Sequence, residues 1–294
     1  MHPTRLWLSA ISVLTAFFLA GCSSSSDPQG CPDNPSPALY WSSILDGEIQ
    51  RFAETVTPAP ETFVDDIPGV NAFARDPIGG KIYWASGGGN SAAIYRANAD
   101  GSDPVEIVDS LGLIRGLDVD SDGGKIYWTD DGSGANHVQR ANLDGTEVET
   151  IVEYSSNVDL RQIFVDSKSG HLYWTLTSDH RIERANLDGS NHEVVFEDPA
   201  LSPIGIAVDS DTDTMYWSDY ITDTIRSSRL DGTEMQIVVS EGLDAPWGIV
   251  LDPSAGFLYW TDAGFGSISR VCLIDGSTRV IVDGLSIQVR FLQL

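Results

Sequence analysis

KIYWTDDG, residues 125–132, sets two aromatics and a threonine ahead of two adjacent aspartates. Alone it suits half of a metal site, a pair of catalytic carboxylates, or a length of β-scaffold. Its recurrence separates these readings. Tyr-Trp stands at 40–41, 83–84, 127–128, 173–174, 216–217 and 259–260, at steps of 43, 44, 46, 43 and 43 residues. A period of this length marks a repeat architecture.

Other positions keep the same phase. An apolar run ending in aspartate precedes five of the pairs: NAFARD (71–76), RGLDVD (115–120), RQIFVD (161–166), IGIAVD (204–209) and WGIVLD (247–252). Four residues beyond that aspartate stands Gly80, Gly124, Gly170 or Gly256, with Asp213 in the same place in the fifth unit. A third segment then runs into Asp-Gly, as in VQRANLDG (138–145) and IERANLDG (182–189), and a fourth such as VETIVE (148–153) closes the unit. Asp-Gly supplies the positive φ angles of tight hairpins, while β-branched and aromatic residues fill strands. Each unit reads as four short strands, and six units predict an all-β, six-bladed β-propeller of four-stranded blades.

The first unit starts at its second strand, ALYWSS (38–43), whereas SIQVRFLQL (286–294) has an inner-strand pattern with no Tyr-Trp after it. The C-terminal strand (286–294) is therefore expected to pair with the N-terminal blade and close the ring, removing an open sheet edge.

These motifs resemble the low-density lipoprotein receptor class B, or YWTD, repeat. YWTD is intact at 127–130 and 259–262, becomes YWSD at 216–219, and weakens to YWTL (173–176), YWAS (83–86) and YWSS (40–43). The resemblance spans 38–294. It implies that Tyr83, Trp84, Tyr127, Trp128, Tyr173, Trp174, Tyr216, Trp217, Tyr259 and Trp260 pack the blades. It also implies that Asp130, Asp219 and Asp262 tie neighbouring segments together. The third-strand arginines Arg96, Arg140, Arg184 and Arg270 repeat in phase and are the expected partners of those aspartates. A propeller hosts receptors, adaptors and enzymes alike, so the receptor's ligands are not carried over.

Composition narrows the partners. With 43 acidic and 17 basic residues the formal charge is −26, which repels phosphate backbones and argues against nucleic acid. At the N-terminus Arg5 precedes the apolar run LWLSAISVLTAFFLA (6–20), which ends in LAGC (19–22). LAGC resembles the lipobox of bacterial lipoproteins. It implies a signal peptide over 1–21, a lipidated Cys22 with a flexible tether over 22–37, and a propeller over 38–294. The implied location is the bacterial cell envelope, membrane-anchored through the N-terminal lipid. Ser23 resembles an outer-membrane sorting signal, facing periplasm or exterior. A monomer is expected. Cys31 and Cys272 either pair in an oxidising compartment or remain thiols, and neither has a zinc-ligand spacing.

Candidate sites divide by face. DVDSDGG (118–124) and DSDTD (209–213) space their acids at alternate residues, as calcium loops do. Asp118, Asp120, Asp122, Asp209, Asp211 and Asp213 are thus the candidate Ca2+ ligands. Yet Asp120 and Asp209 belong to a hairpin that recurs as DPIGG, DSKSG and DPSAG with one acid each, so these acids read as turn-formers and no cofactor is expected. The histidines fall at different phases, and neither a GxSxG nucleophile nor a phosphate loop is present.

The Asp-rich turns all lie on one side of the disc, formed by the loops between first and second and between third and fourth strands. On the other side the residues entering the inner strands are Asn71, Arg115, Arg161, Ile204, Trp247 and Arg290. His137, His180, Tyr220 and Phe265 lie in the adjoining loops. Arginine and tryptophan at a concave rim suit the recognition of carboxylates and protein surfaces. The primary reading is an interaction module for a protein, peptide or anionic ligand. The alternative is a hydrolase resembling gluconolactonase or strictosidine-synthase propellers, which hold a channel metal. Of the matching inner positions only Asp118 is a carboxylate, which leans the reading away from an enzyme.

Overall fold

The computed structural model describes Cys31 and residues 38–43, 46–53, 59–65, 67, 69–87, 91–132, 135–155, 158–285 and 289–294. The signal peptide (1–21), Cys22, the tether apart from Cys31, and residues 286–288 of the closing segment lie outside the described residues.

Six four-stranded antiparallel sheets follow one another around a ring. In blade 2 the strands run from inner to outer as Val70–Asp76, Lys81–Ser86, Ala92–Asn98 and Val105–Leu111. Blades 3 to 6 repeat this order behind inner strands Ile114–Asp120, Leu160–Asp166, Pro203–Asp209 and Pro246–Asp252. Blade 1 combines both ends of the chain: Val289–Gln293 is its inner strand and pairs antiparallel with Leu39–Ser43, followed by Glu48–Phe52 and Glu61–Val64. Inner strands of successive blades lie side by side, as far as Val289–Gln293 against Val70–Asp76. Below, "bottom" is the face of the Asp-rich turns and "top" the face where the inner strands enter.

Adjacent residues on a strand point to opposite faces, so each Tyr-Trp pair fills two gaps at once. Tyr127 packs forward among blade 4 residues Leu160 and Ile163, whereas Trp128 packs back among Ile94 and Ile114. Tyr173 and Trp174 divide in the same way between the next two cores. All of these side chains are buried.

Between inner strands the backbones themselves come close. A Cβ added at Gly116, Gly205 or Gly248 would stand 2.5, 2.2 or 2.0 Å from the carbonyl oxygens of Arg161, Trp247 and Arg290 in the next blade. The threonine position of the repeat reaches those same carbonyls. Thr129 donates to Arg161 O at 2.6 Å, Ser218 to Trp247 O at 2.5 Å and Thr261 to Arg290 O at 3.1 Å, while Thr175 donates to Ile204 O at 2.6 Å.

The repeat aspartates brace the top loops. Asp130 accepts the amides of Gly112 and Gly132, both at 3.0 Å. Asp219 accepts from Ser202 N at 2.6 Å and Thr222 N at 2.9 Å, and Asp262 from Asp244 N at 2.9 Å and Phe265 N at 3.0 Å. Each carboxylate thus clamps the chain entering its own blade to that blade's second hairpin.

The third-strand arginines are not their partners, contrary to the sequence expectation. Register places Arg140 opposite Tyr127, with His137 opposite Asp130, so arginine and aspartate sit at opposite ends of the strand pair. Arg96 instead donates to Leu143 O at 3.1 Å and Arg140 to Leu187 O at 2.7 Å, again tying one blade to the next.

Cys31 is bonded to Cys272, 241 residues later. The chain ahead of blade 1 is thereby fixed to blade 6, across the seam that the C-terminal strand closes. We expect Gly248→Ala to lower stability by about 3 kcal/mol through overpacking, read as a shift in the urea midpoint. The double substitution Cys31→Ser, Cys272→Ser should lower it by about 2–4 kcal/mol, measured in the same way.

Candidate functional site

Because every inner strand enters from the top, the residues that lead these strands meet at the channel mouth. Asn71, Arg115, Arg161, Ile204, Trp247 and Arg290 all line one narrow pocket of about 30 Å³, together with Leu113, Gln162 and Phe291. Fixation of the Arg161, Trp247 and Arg290 carbonyls by the preceding blade leaves their side chains to shape the rim.

The charges there are not balanced. Arg115 pairs with Asp131 at 2.8 Å and Arg161 with Asp159 at 2.8 Å. Asp131 also accepts from Asn136 at 2.7 Å; burial pushes its carboxyl up, against the pull of Arg115. Arg290 lies over the Trp247 ring, 4.1 Å from its centroid, and Arg161 lies 5.8 Å from that centroid. Among the described residues no carboxylate pairs with Arg290, and its Nε is buried without a hydrogen-bond partner. Burial first, then Arg161 and Arg115, pull its pKa down. A guanidinium drawn partly out of water beside two others favours an incoming anion.

Tyr220 stands edge-on to Trp247 with ring centroids 6.0 Å apart. Ile221 and Phe265, in the loops between second and third strands of blades 5 and 6, are exposed apolar residues on the same face. Ile221 was not singled out from sequence, although an apolar residue in a turn (YITD, 220–223) was a readable signal. His180 and His137 do not join the pocket. His180 is a turn residue with φ of 60°, its Nδ1 2.6 Å from Leu201 O, and His137 lies on the third strand of blade 3, 3.8 Å from Glu153. Asn71 donates to Gly87 O.

The bottom acids serve the turns. Asp120 accepts from Gly123 N at 2.9 Å and Ser167 Oγ at 2.7 Å. Asp209 accepts from Asp211 N at 3.0 Å and Thr212 Oγ1 at 2.8 Å. Asp211 pairs with Lys168, and Asp213 with Arg229 at 2.8 Å. Asp213 adopts φ of 56°, the left-handed conformation that Gly80, Gly124, Gly170 and Gly256 supply elsewhere. Asp122 is exposed. Asp118 spends both oxygens on backbone amides, Val119 N at 2.9 Å and Val165 N at 2.8 Å, and burial raises its pKa to about 7. Among the described residues no three His, Cys, Asp or Glu side chains form a metal-holding group.

The family model for low-density lipoprotein receptor repeat class B matches residues 170–210 and 213–253. No curated protein matches the chain by sequence. Among solved structures it is similar to a chain of a nidogen/laminin complex, with TM-score 0.76 and 22% identity over 87% of this chain and 97% of that one. TolB from Acinetobacter baumannii gives TM-score 0.66 and 16% identity, over 87% of this chain and 65% of that one. A periplasmic gluconolactonase of Pseudomonas aeruginosa gives 0.61 and 10%, over 84% and 82%. At these identities the likeness is one of fold. The chain carries class B repeats on a six-bladed YWTD-type propeller.

Folding lifts the Asp118 pKa from its ordinary 3.8 to about 7, so the folded state holds this proton more tightly than the unfolded chain. Its contribution to stability is full below about pH 4 and is lost as pH rises towards about 7. The melting temperature of the wild type, relative to Asp118→Asn, should therefore rise between pH 8 and pH 5, as calorimetry at the two values would show.

Proposed function

We propose that this YWTD-type propeller is a lipid-anchored interaction module of the bacterial cell envelope. Its top-face pocket receives a partner protein through an anionic group. The observation that carries the reading is Arg290, a guanidinium laid on Trp247 with no carboxylate partner among the described residues, next to two arginines already neutralised. Buried arginine and tryptophan are the residue types that dominate binding energy at protein interfaces. A planar guanidinium matches a carboxylate with two hydrogen bonds, and the Trp247 face holds its orientation. Exposed Tyr220, Ile221 and Phe265 on the same face offer apolar contacts for the partner's side chains. A similar propeller forms part of the nidogen/laminin complex, which supports a protein as the ligand. The LAGC motif at 19–22 supports the lipid anchor and the envelope location.

The test compares proteins captured from envelope extract by the wild type and by Arg290→Met, which keeps the apolar stem and removes the charge. We expect the partner's affinity to fall at least about tenfold, the scale of an interface hot spot, while Asp122→Asn on the bottom face leaves it unchanged. Equal capture by wild type and Arg290→Met would overturn the reading.

A further inference from the structure

Cys31 and the pocket lie on opposite faces of the ring. Cys272 ends the third strand of blade 6, Ser267–Cys272, just before the bottom turn at 273–276. Cys31 is bonded to it, and its sulfur lies 3.5 Å from the carbonyl oxygen of Gly256 in the neighbouring bottom turn. Trp247 and Phe265 occupy the top end of that same blade.

We infer that the Cys31–Cys272 bond makes the bottom face the membrane-facing side of the anchored molecule, so that the pocket opens away from the bilayer. The inference rests on the reading of Cys22 as the lipid-bearing residue. Cys31 lies nine residue steps beyond Cys22. A flexible chain of that length has a root-mean-square reach of roughly 17 Å. The second strand of blade 6, Phe257–Asp262, carries the chain from bottom to top over roughly 20 Å. A tether held at the bottom therefore has to stretch past its root-mean-square reach, to about two-thirds of its roughly 31 Å extended length, before the bilayer can reach the top rim. Without the bond the first strand begins at Leu39, seventeen residues from Cys22. The reach then grows to roughly 23 Å, and either face comes within range.

The test uses the processed chain beginning at Cys22. Of its three cysteines two are bonded, leaving one thiol to couple to a maleimide lipid in phosphatidylcholine vesicles with an energy-transfer acceptor in the headgroups. A donor is attached through an encoded azide at exposed Ile274 on the bottom or exposed Phe265 on the top of blade 6. Transfer from position 274 should be at least about twice that from 265, because transfer falls steeply over the height of the ring set by its strands. The gap should narrow in the Cys31→Ser, Cys272→Ser protein. Equal transfer from both positions in the bonded protein overturns the inference, whether or not the double variant folds. Chemical coupling makes this result independent of natural acylation. An unmodified mass for the Cys22 peptide from native membranes would instead overturn the lipid reading alone.

Discussion

The close approach of inner-strand backbones is the constraint on which the ring depends. Gly116, Gly205 and Gly248 leave room for the next blade's carbonyls, and Thr129, Ser218 and Thr261 bind those same carbonyls. Steric permission comes from the inner strand and attraction from the second strand of one blade. The carbonyls belong to Arg161, Trp247 and Arg290, whose side chains make the pocket. One set of contacts therefore closes the circle and positions the rim. A recognition surface built this way rests on strands rather than on long loops, and little ordering of its backbone remains to be done when a partner arrives.

Electrostatics divide the molecule along its axis. On the bottom, carboxylates are consumed locally: Asp100, Asp144, Asp188, Asp231 and Asp275 each accept from a residue two positions on, which holds their pKa values below the usual carboxylate range. On the top, cations gather at the channel mouth in a chain whose formal charge is −26. Such a field keeps the protein soluble and repels most acidic surfaces, while the mouth offers one local exception. For the proposed ligand, selectivity then lies in geometry: its anionic group has to fit between Arg115, Arg161 and Arg290 against an indole face.

Much of the fold was legible because the repeat writes itself six times. Tyr-Trp spacing, the Asp-to-Gly hairpins and the unpaired C-terminal strand pattern led to blade number and closure. The rim was legible too, since counting strands assigns the residue before each inner strand to one face. The partners of individual side chains were not. Arg140 and Asp130 share a phase in the repeat, yet antiparallel register sets them apart, and register does not show in spacing. Nor could sequence rank the three rim arginines: Asp159 is close to Arg161 in the chain, but the Arg115–Asp131 pair forms across a hairpin. Blade 4 gives a similar case. Trp41 and Trp128 donate to cross-strand Gln50 and Gln139, whereas Trp174 faces Glu183 and donates to Tyr154 of the preceding blade. Glu183 gathers Arg181, His192 and Tyr154 around a buried charge that no motif announced.

Closure by the C-terminal strand gives the pocket a history as well as a shape. Arg290 lies on Val289–Gln293, and it reaches the mouth only after that strand has paired with Leu39–Ser43, about 250 residues earlier in the chain. Contacts so distant in sequence form late, because the chain between their ends has to be ordered first. A nascent or truncated chain can build several blades and still lack both the cation and the closed circle that holds it. Under the proposed function, competence to bind thus arrives together with closure of the ring, so a partner that engages Arg290 would select closed molecules over open ones.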